Sequence, residues 1–377
     1  GAGPGSCGRE VCNTRMVLPG PVSQPESSRR RVRVRSVILS SALVLILIAA
    51  VMVSAVIGQL QIGAIEVVGS LLKWMGISTS WAPSDPVVEA TLQVVRFPRI
   101  VMALAVGAAL AVAGALMQAV FGNPLAEPGV VGVSSGAALG ASTAIVFGIS
   151  AGGGGVALLA FLGGLGATLL VYAVARAGGR TEVVTLLLTG IAINAFAQAG
   201  LAFVLFLADT ASREQIVFWQ LGSLAGSVWS EVAIVAPVLI LGTIVAVLLS
   251  SQLDLLALGE RNARHLGVDV EALRIIAIVL VALLTGVAVA FAGIIAFVGL
   301  VVPHIIRMAL GPAHRGLLVA SAVGGGALLA IADLLTRTLV VGADLPIGML
   351  TALVGGPFFF GLLYQQRDVT AAFHRSL

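Results

Sequence analysis

The sequence predicts an all-α, polytopic membrane protein of about ten transmembrane helices with both termini in the cytoplasm. Three observations carry that prediction. Apolar runs of roughly 20 residues recur along nearly the whole chain, each long enough to cross a hydrocarbon core of about 30 Å. Hydrophobic residues fill 59% of the 377 positions against 10% charged, with a mean hydropathy of +1.09, far too apolar for a water-soluble fold. The 46 glycines, set against four tryptophans and two tyrosines, suit helices that approach one another closely in lipid.

Residues 1–36 read as a disordered basic leader. Cys7 and Cys12 lie there, too few for a disulfide framework and without the partners of a metal site. The cluster Arg29-Arg30-Arg31-Val32-Arg33-Val34-Arg35 abuts an apolar run, which marks a cytoplasmic flank rather than a nucleic-acid patch. The transmembrane domain occupies 37–366, and 367–377 form a cytoplasmic tail. Span 1 covers Val37–Ile57 and lacks a cleavage signal, so it is a retained helix. Residues 58–96, with Trp74, Trp81, Pro83 and Pro86, suit an extracytoplasmic loop with interfacial aromatics. Spans 2 to 6 follow at Phe97–Val120, Val130–Phe147, Val156–Ala175, Val183–Leu207 and Val232–Ser250. Spans 7 to 10 are Ile275–Phe291, Ile294–Leu310, Leu317–Leu335 and Pro346–Tyr364. Residues 275–310 leave only about 27 Å per crossing for two crossings, so a broken or re-entrant helix belongs there.

Charge orients these spans. With the N-terminus inside, sixteen arginines fall on the cytoplasmic side, while only Lys73, Arg96, Arg99, Arg213 and Arg337 fall outside. The same topology places the island Asp254–Arg274 in the cytoplasm. Seven of its 21 residues are charged, and at about 2.5–3.5 kcal/mol each such charges cannot sit in hydrocarbon. It is also too long for a turn. It reads as a segment that takes force from another protein.

Lys73 is the single lysine, so no G-x-x-x-x-G-K-[ST] phosphate loop exists in the chain, and any ATP that drives it is bound by another polypeptide. In Asn123-Pro124-Leu125-Ala126-Glu127-Pro128-Gly129 the prolines and glycine break a helix at a membrane boundary, and Asn123 satisfies freed backbone groups. Gly132, Gly136 and Gly140 follow at i, i+4, i+8 as a face for close helix approach. Gly132-Val133-Ser134-Ser135-Gly136 also fits the G-x-S-x-G nucleophile elbow, but that motif needs a strand-to-helix turn and a histidine partner. Asp333 and Arg337 are spaced for an i, i+4 ion pair. Arg96, Arg99 and Arg337 break the charge rule, either as interfacial anchors or as a basic patch for an acidic partner. Ala111-x-Ala113-Gly114 before Pro124 is echoed by Ala290-x-Ala292-Gly293 before Pro303, a weak sign of an inverted repeat.

Taken together and in order, five motifs give the chain a resemblance to the permease subunit of type II ATP-binding-cassette importers, the FecCD-like family that takes up ferric siderophores, haem and cobalamin. They are Arg96-x-Pro98-Arg99, the 123–129 segment with Gly132–Gly136, Leu258-Gly259-x-x-x-Ala263-x-x-Leu266-Gly267, Phe297-Val-Gly-Leu-Val-Val-Pro-His304 with Arg307, and Leu345-Pro-Ile-Gly348 through Gly356-Pro-Phe358. The resemblance covers residues 37–366. It implies a homodimer in the bacterial cytoplasmic membrane, loaded by an extracytoplasmic binding protein and driven by two ATPase subunits that use ATP and Mg. It implies no bound cofactor, metal or catalytic residue in this chain. Leu258, Gly259, Ala263, Leu266 and Gly267 become the ATPase-coupling residues, with the three apolar ones supplying contact. Arg96, Arg99 and Arg337 become docking residues for the binding protein. Where the family often has Gly-Pro-Ile-Gly, this chain has Gly293-Ile-Ile-Ala296, which puts the span 7–8 junction in question. Haem is placed ahead of a ferric siderophore as cargo, with cobalamin third. An ion-coupled secondary transporter and an intramembrane enzyme are the rivals.

Overall fold

The computed structural model describes residues 26–149, 154–177, 180–340 and 342–375, besides Gly1. The leader up to residue 25, with both cysteines, lies outside the described residues, as do the side chains of the arginine cluster and of the tail from 365 onward. Among the described residues fifteen α-helices follow one another: α1 (Glu26–Val56), α2 (Ala64–Trp74), α3 (Pro86–Ala90), α4 (Phe97–Phe121), α5 (Val133–Val146), α6 (Gly155–Ala175), α7 (Val183–Leu207), α8 (Thr210–Leu221), α9 (Trp229–Leu248), α10 (Ser250–Leu256), α11 (Glu260–His265), α12 (Val270–Ala292), α13 (Val298–Leu310), α14 (His314–Thr338) and α15 (Ile347–Arg375). Seven of the helical rods are long and apolar enough to span a membrane, and three shorter apolar helices, Val133–Val146, Val298–Leu310 and Ile347–Gly361, fall at the remaining predicted spans. The protein is a multi-pass helical bundle.

Helix α4 is its axis. A π-helical stretch, Thr91–Arg96, joins it to α3, so that Pro86–Phe121 forms one rod. Of the 25 residues in α4, 20 are buried, among them Met102, Ala111, Leu116 and Met117. Its composition explains this, because alanine and glycine leave little side chain between backbones. A Cβ on Gly107 would run into the Gly325 carbonyl of α14, and one on Gly114 into the Gly299 carbonyl of α13. In lipid, where apolar side chains gain little by leaving the solvent, such backbone-to-backbone packing holds helices together. The Gly136–Gly140 face behaves as predicted, since both glycines press on the α6 backbone at Gly163 and Leu159.

Three expectations are revised. Residues 58–96 are mostly helical, because Gly63 and Asp85 begin helices α2 and α3 and the Asp85 carboxylate accepts from Val87 N at 2.8 Å. Trp74 from this region stacks on Trp229 with ring centroids 6.0 Å apart. A further helix, α8, starts where the Asp209 side chain accepts from Ser212 N. The 275–310 region is divided unequally. Asp269 caps α12 through Glu271 N and Ala272 N, so this helix begins five residues earlier than span 7. It then runs 23 residues, leaving α13 only 13, or about 20 Å, too short to cross alone. The break between them turns on Gly293 and on Phe297, whose φ of 68° is the one positive value at a non-glycine among the described residues.

Candidate functional site

Two constellations sit at opposite ends of α4 and α14, helices of 25 residues and thus about 37 Å long. At the predicted outer end, Arg96, Arg99 and Arg337 come together. They do not snorkel to water; Arg96 is 5% exposed and Arg99 9%. The guanidinium of Arg96 donates to the carbonyls of Ala55, Val56 and Leu60, the first two in the last turn of α1, where carbonyls lack a partner further along the helix. Arg99 pairs with Asp333 at 2.9 Å and with Asp344 at 2.7 Å. Arg337 reaches Asp333 at 3.3 Å, the predicted i, i+4 pair, and donates to the Ser54 hydroxyl at 2.6 Å.

Three cations therefore face two carboxylates, and Arg96 has no ion-pair partner among the described residues. This network staples α1, α4, α14 and the segment before α15. It borders a cavity of about 380 Å³ lined by Gln59, Thr91, Arg96, Arg99, Arg337 and Asp344. Spacing along the sequence pointed to Asp333 with Arg337. Asp344 and Ser54 gave no such signal, because their pairing is made only by the fold.

At the other end the charged island resolves into α10, α11 and the first turn of α12. Gly259 and Gly267 flank α11 with φ of 102° and 85°, backbone that a residue with a Cβ adopts only under strain. They are hinges in the literal sense of chain direction. Leu258 and Leu266 stand 61% and 60% exposed at the two ends of α11. Ala263 does not join them. It is fully buried against the core, so the expected apolar contact face reduces to two leucines. The charges mostly serve as tethers: Glu260 pairs with Arg274 and, at 3.6 Å, with Arg264, while Asp254 accepts from His314 N at 2.9 Å and lies 2.7 Å from its Nδ1.

The 123–129 segment is a structural joint. Gly122 ends α4, and the Asn123 side chain accepts from Leu125 N at 2.9 Å. Glu127 accepts from Phe297 N at 3.3 Å, linking this break to the one after α12. Pro128 opens a short 3₁₀ turn whose Gly129 carbonyl accepts from Asn194 at 3.3 Å, and Gly132 caps α5. The elbow reading fails: Ser134 lies in the first turn of a helix, not on a strand-to-helix turn, and the Ser135 hydroxyl bonds to Gly132 and Asn194.

A buried axial helix, paired helix breaks, a charge-stapled end and a short glycine-flanked helix at the other end make up a multi-pass membrane bundle, and the comparisons place it among transport permeases. The family model of the FecCD transport family matches residues 45–365, and the chain belongs to that family. It is 42% identical over 282 residues to the hemin transport system permease protein HmuU of Yersinia pestis, covering 73% of this chain and 83% of that one. It is 41% identical over 313 residues to the cobalamin import system permease protein BtuC of Halobacterium salinarum, covering 82% and 84%. Among solved structures it is similar to a metal-chelate type ABC transporter in an inward-facing conformation, with a TM-score of 0.75 and 34% identity over 86% of this chain and 98% of the other.

Proposed function

We propose that the chain is the permease subunit of an ATP-driven importer of an iron chelate, with haem as the leading cargo. The observation that carries the cargo is the identity to a hemin permease along most of both chains. Two copies of the chain would enclose the pathway, and an extracytoplasmic binding protein with acidic docking residues would settle around the Arg96–Arg99–Arg337 end. Two ATPase subunits using ATP and Mg would grip α11 through Leu258 and Leu266. Gly259 and Gly267 let that short helix change direction as a unit, so closure of the ATPase pair biases the inward and outward states differently. This orientation puts both termini in the cytoplasm.

Cobalamin is the second reading, favoured by a cobalamin permease of nearly equal identity. An ion-coupled transporter is disfavoured because Asp333, the carboxylate buried within a span, is held between two arginines. Reconstitution of the chain with its ATPase and binding protein in proteoliposomes tests the reading. Uptake should require ATP, and the absorption spectrum of the loaded binding protein should identify haem. Uptake driven by an ion gradient without ATP would overturn it.

A further inference from the structure

Behind α11, at the end of α4, lies a cavity of about 420 Å³ lined by Gln118, Pro124, Glu260, Arg274, Arg307 and His314, among others. Its wall carries polar atoms that the fold leaves without partners. The Arg307 Nε is buried and makes no hydrogen bond, and its Nη2 meets only the neutral Gln118 Oε1 at 3.3 Å. No carboxylate pairs with Arg307 among the described residues. His314 is 2% exposed, and its Nε2 is likewise buried and without a partner. With the ring's proton on Nδ1, where Asp254 accepts it, Nε2 is an acceptor in the neutral ring and turns into a second donor only when a bound anion holds a further proton on it. Gln118, 2% exposed, is oriented by donating its Nε2 to the Leu300 carbonyl.

We propose that this cavity is an oxyanion site, which takes a carboxylate or phosphate group between Arg307 and His314. A guanidinium recognises such planar or tetrahedral oxyanions through directed N–H donors. The nearby acid is already committed, since Glu260 is engaged by Arg264 and Arg274. Arg307 is half-buried, so water screens its charge without pairing it, and the volume exceeds the roughly 30 Å³ share of one water more than tenfold. Placed beside the coupling helix, the site would receive either a carboxylate arm of the departing cargo or free phosphate. That placement rests on the importer reading; the binding itself does not.

The test is titration of the purified full-length chain in detergent, without ATPase or cargo, with sodium propionate and with inorganic phosphate at fixed low ionic strength. Saturable binding is expected, weakened about tenfold in Arg307→Gln, weakened less in Arg307→Lys, and unchanged in Arg261→Gln, an exposed arginine of the same end. Tighter propionate assigns the site to a carboxylate-bearing cargo, and tighter phosphate to the free anion. Absence of saturation, meaning a cavity filled by water only, overturns the site, as does equal binding by wild type and both Arg307 variants. Failure of the importer reading shows separately, as uptake that does not need ATP.

Discussion

The two ends of the α4–α14 pair are built on opposite plans. At the Arg96 end all three clustered arginines are consumed internally: Arg96 by carbonyls at the end of α1 and just beyond it, Arg99 by two aspartates, Arg337 by Asp333 and Ser54. At the other end the tethers are few and half exposed, and two bare leucines flank a helix of six residues. Charge buried in a network resists motion, because loosening one partner strands the others. A short helix between two left-handed glycines resists little. The contrast predicts rigidity at one end and movement at the other, and it can be tested by asking whether mutations at each end cost stability or function.

The largest stability effect is expected for Asp333→Asn. It leaves Arg99 and Arg337 buried with one carboxylate between them, a loss of about 3–5 kcal/mol for a broken buried pair. Thermal unfolding of the purified chain in detergent should drop sharply, and a change of under about 1 kcal/mol would mean the cluster is wetter and looser than its geometry. Next comes Gly107→Val. Its added carbons meet the Gly325 backbone, which has no rotamer to yield, so a penalty of about 1–3 kcal/mol or more follows. Unchanged unfolding would show that α4 and α14 slide apart easily.

Arg96→Lys sharpens the role of the arginine cluster itself. Lysine keeps the charge but lacks the planar fork that serves three carbonyls at once. If Arg96 caps α1, the variant loses about 1–2 kcal/mol while docking of a binding protein keeps its salt dependence. Full stability together with weakened docking would make it a docking residue first.

How much of this was legible in the sequence follows from the range of each interaction. The spans were readable because a run of Val, Leu and Ala reports on its own surroundings. Asp333 and Arg337 were readable as a pair because four residues make one helical turn. The hinge glycines stood out against a charged stretch. Arg99–Asp344 and Arg337–Ser54 join positions more than 200 residues apart and left no local mark. The uneven division of 275–310 was hidden for another reason: Asp269 starts α12 inside the charged island, where composition marked only a water-facing segment and not where the next helix begins. The burial of Ala263 was not legible because a short motif does not tell the inner face of a six-residue helix from its outer one.

The double variant Leu258→Ser, Leu266→Ser should disturb folding least and partner recognition most. Both side chains are already about three-fifths exposed, so their loss should change stability by no more than about 0.5 kcal/mol. If α11 is the seat of an ATPase, the same change removes the apolar anchors from a small interface, where a few residues carry most of the binding energy. Co-purification with the ATPase should then fail while the unfolding midpoint stays put. The opposite pattern, retained ATPase and a lowered midpoint, would move the force-bearing contact away from α11. It would leave the two glycines as ordinary turns, and the functional difference between the two ends would disappear.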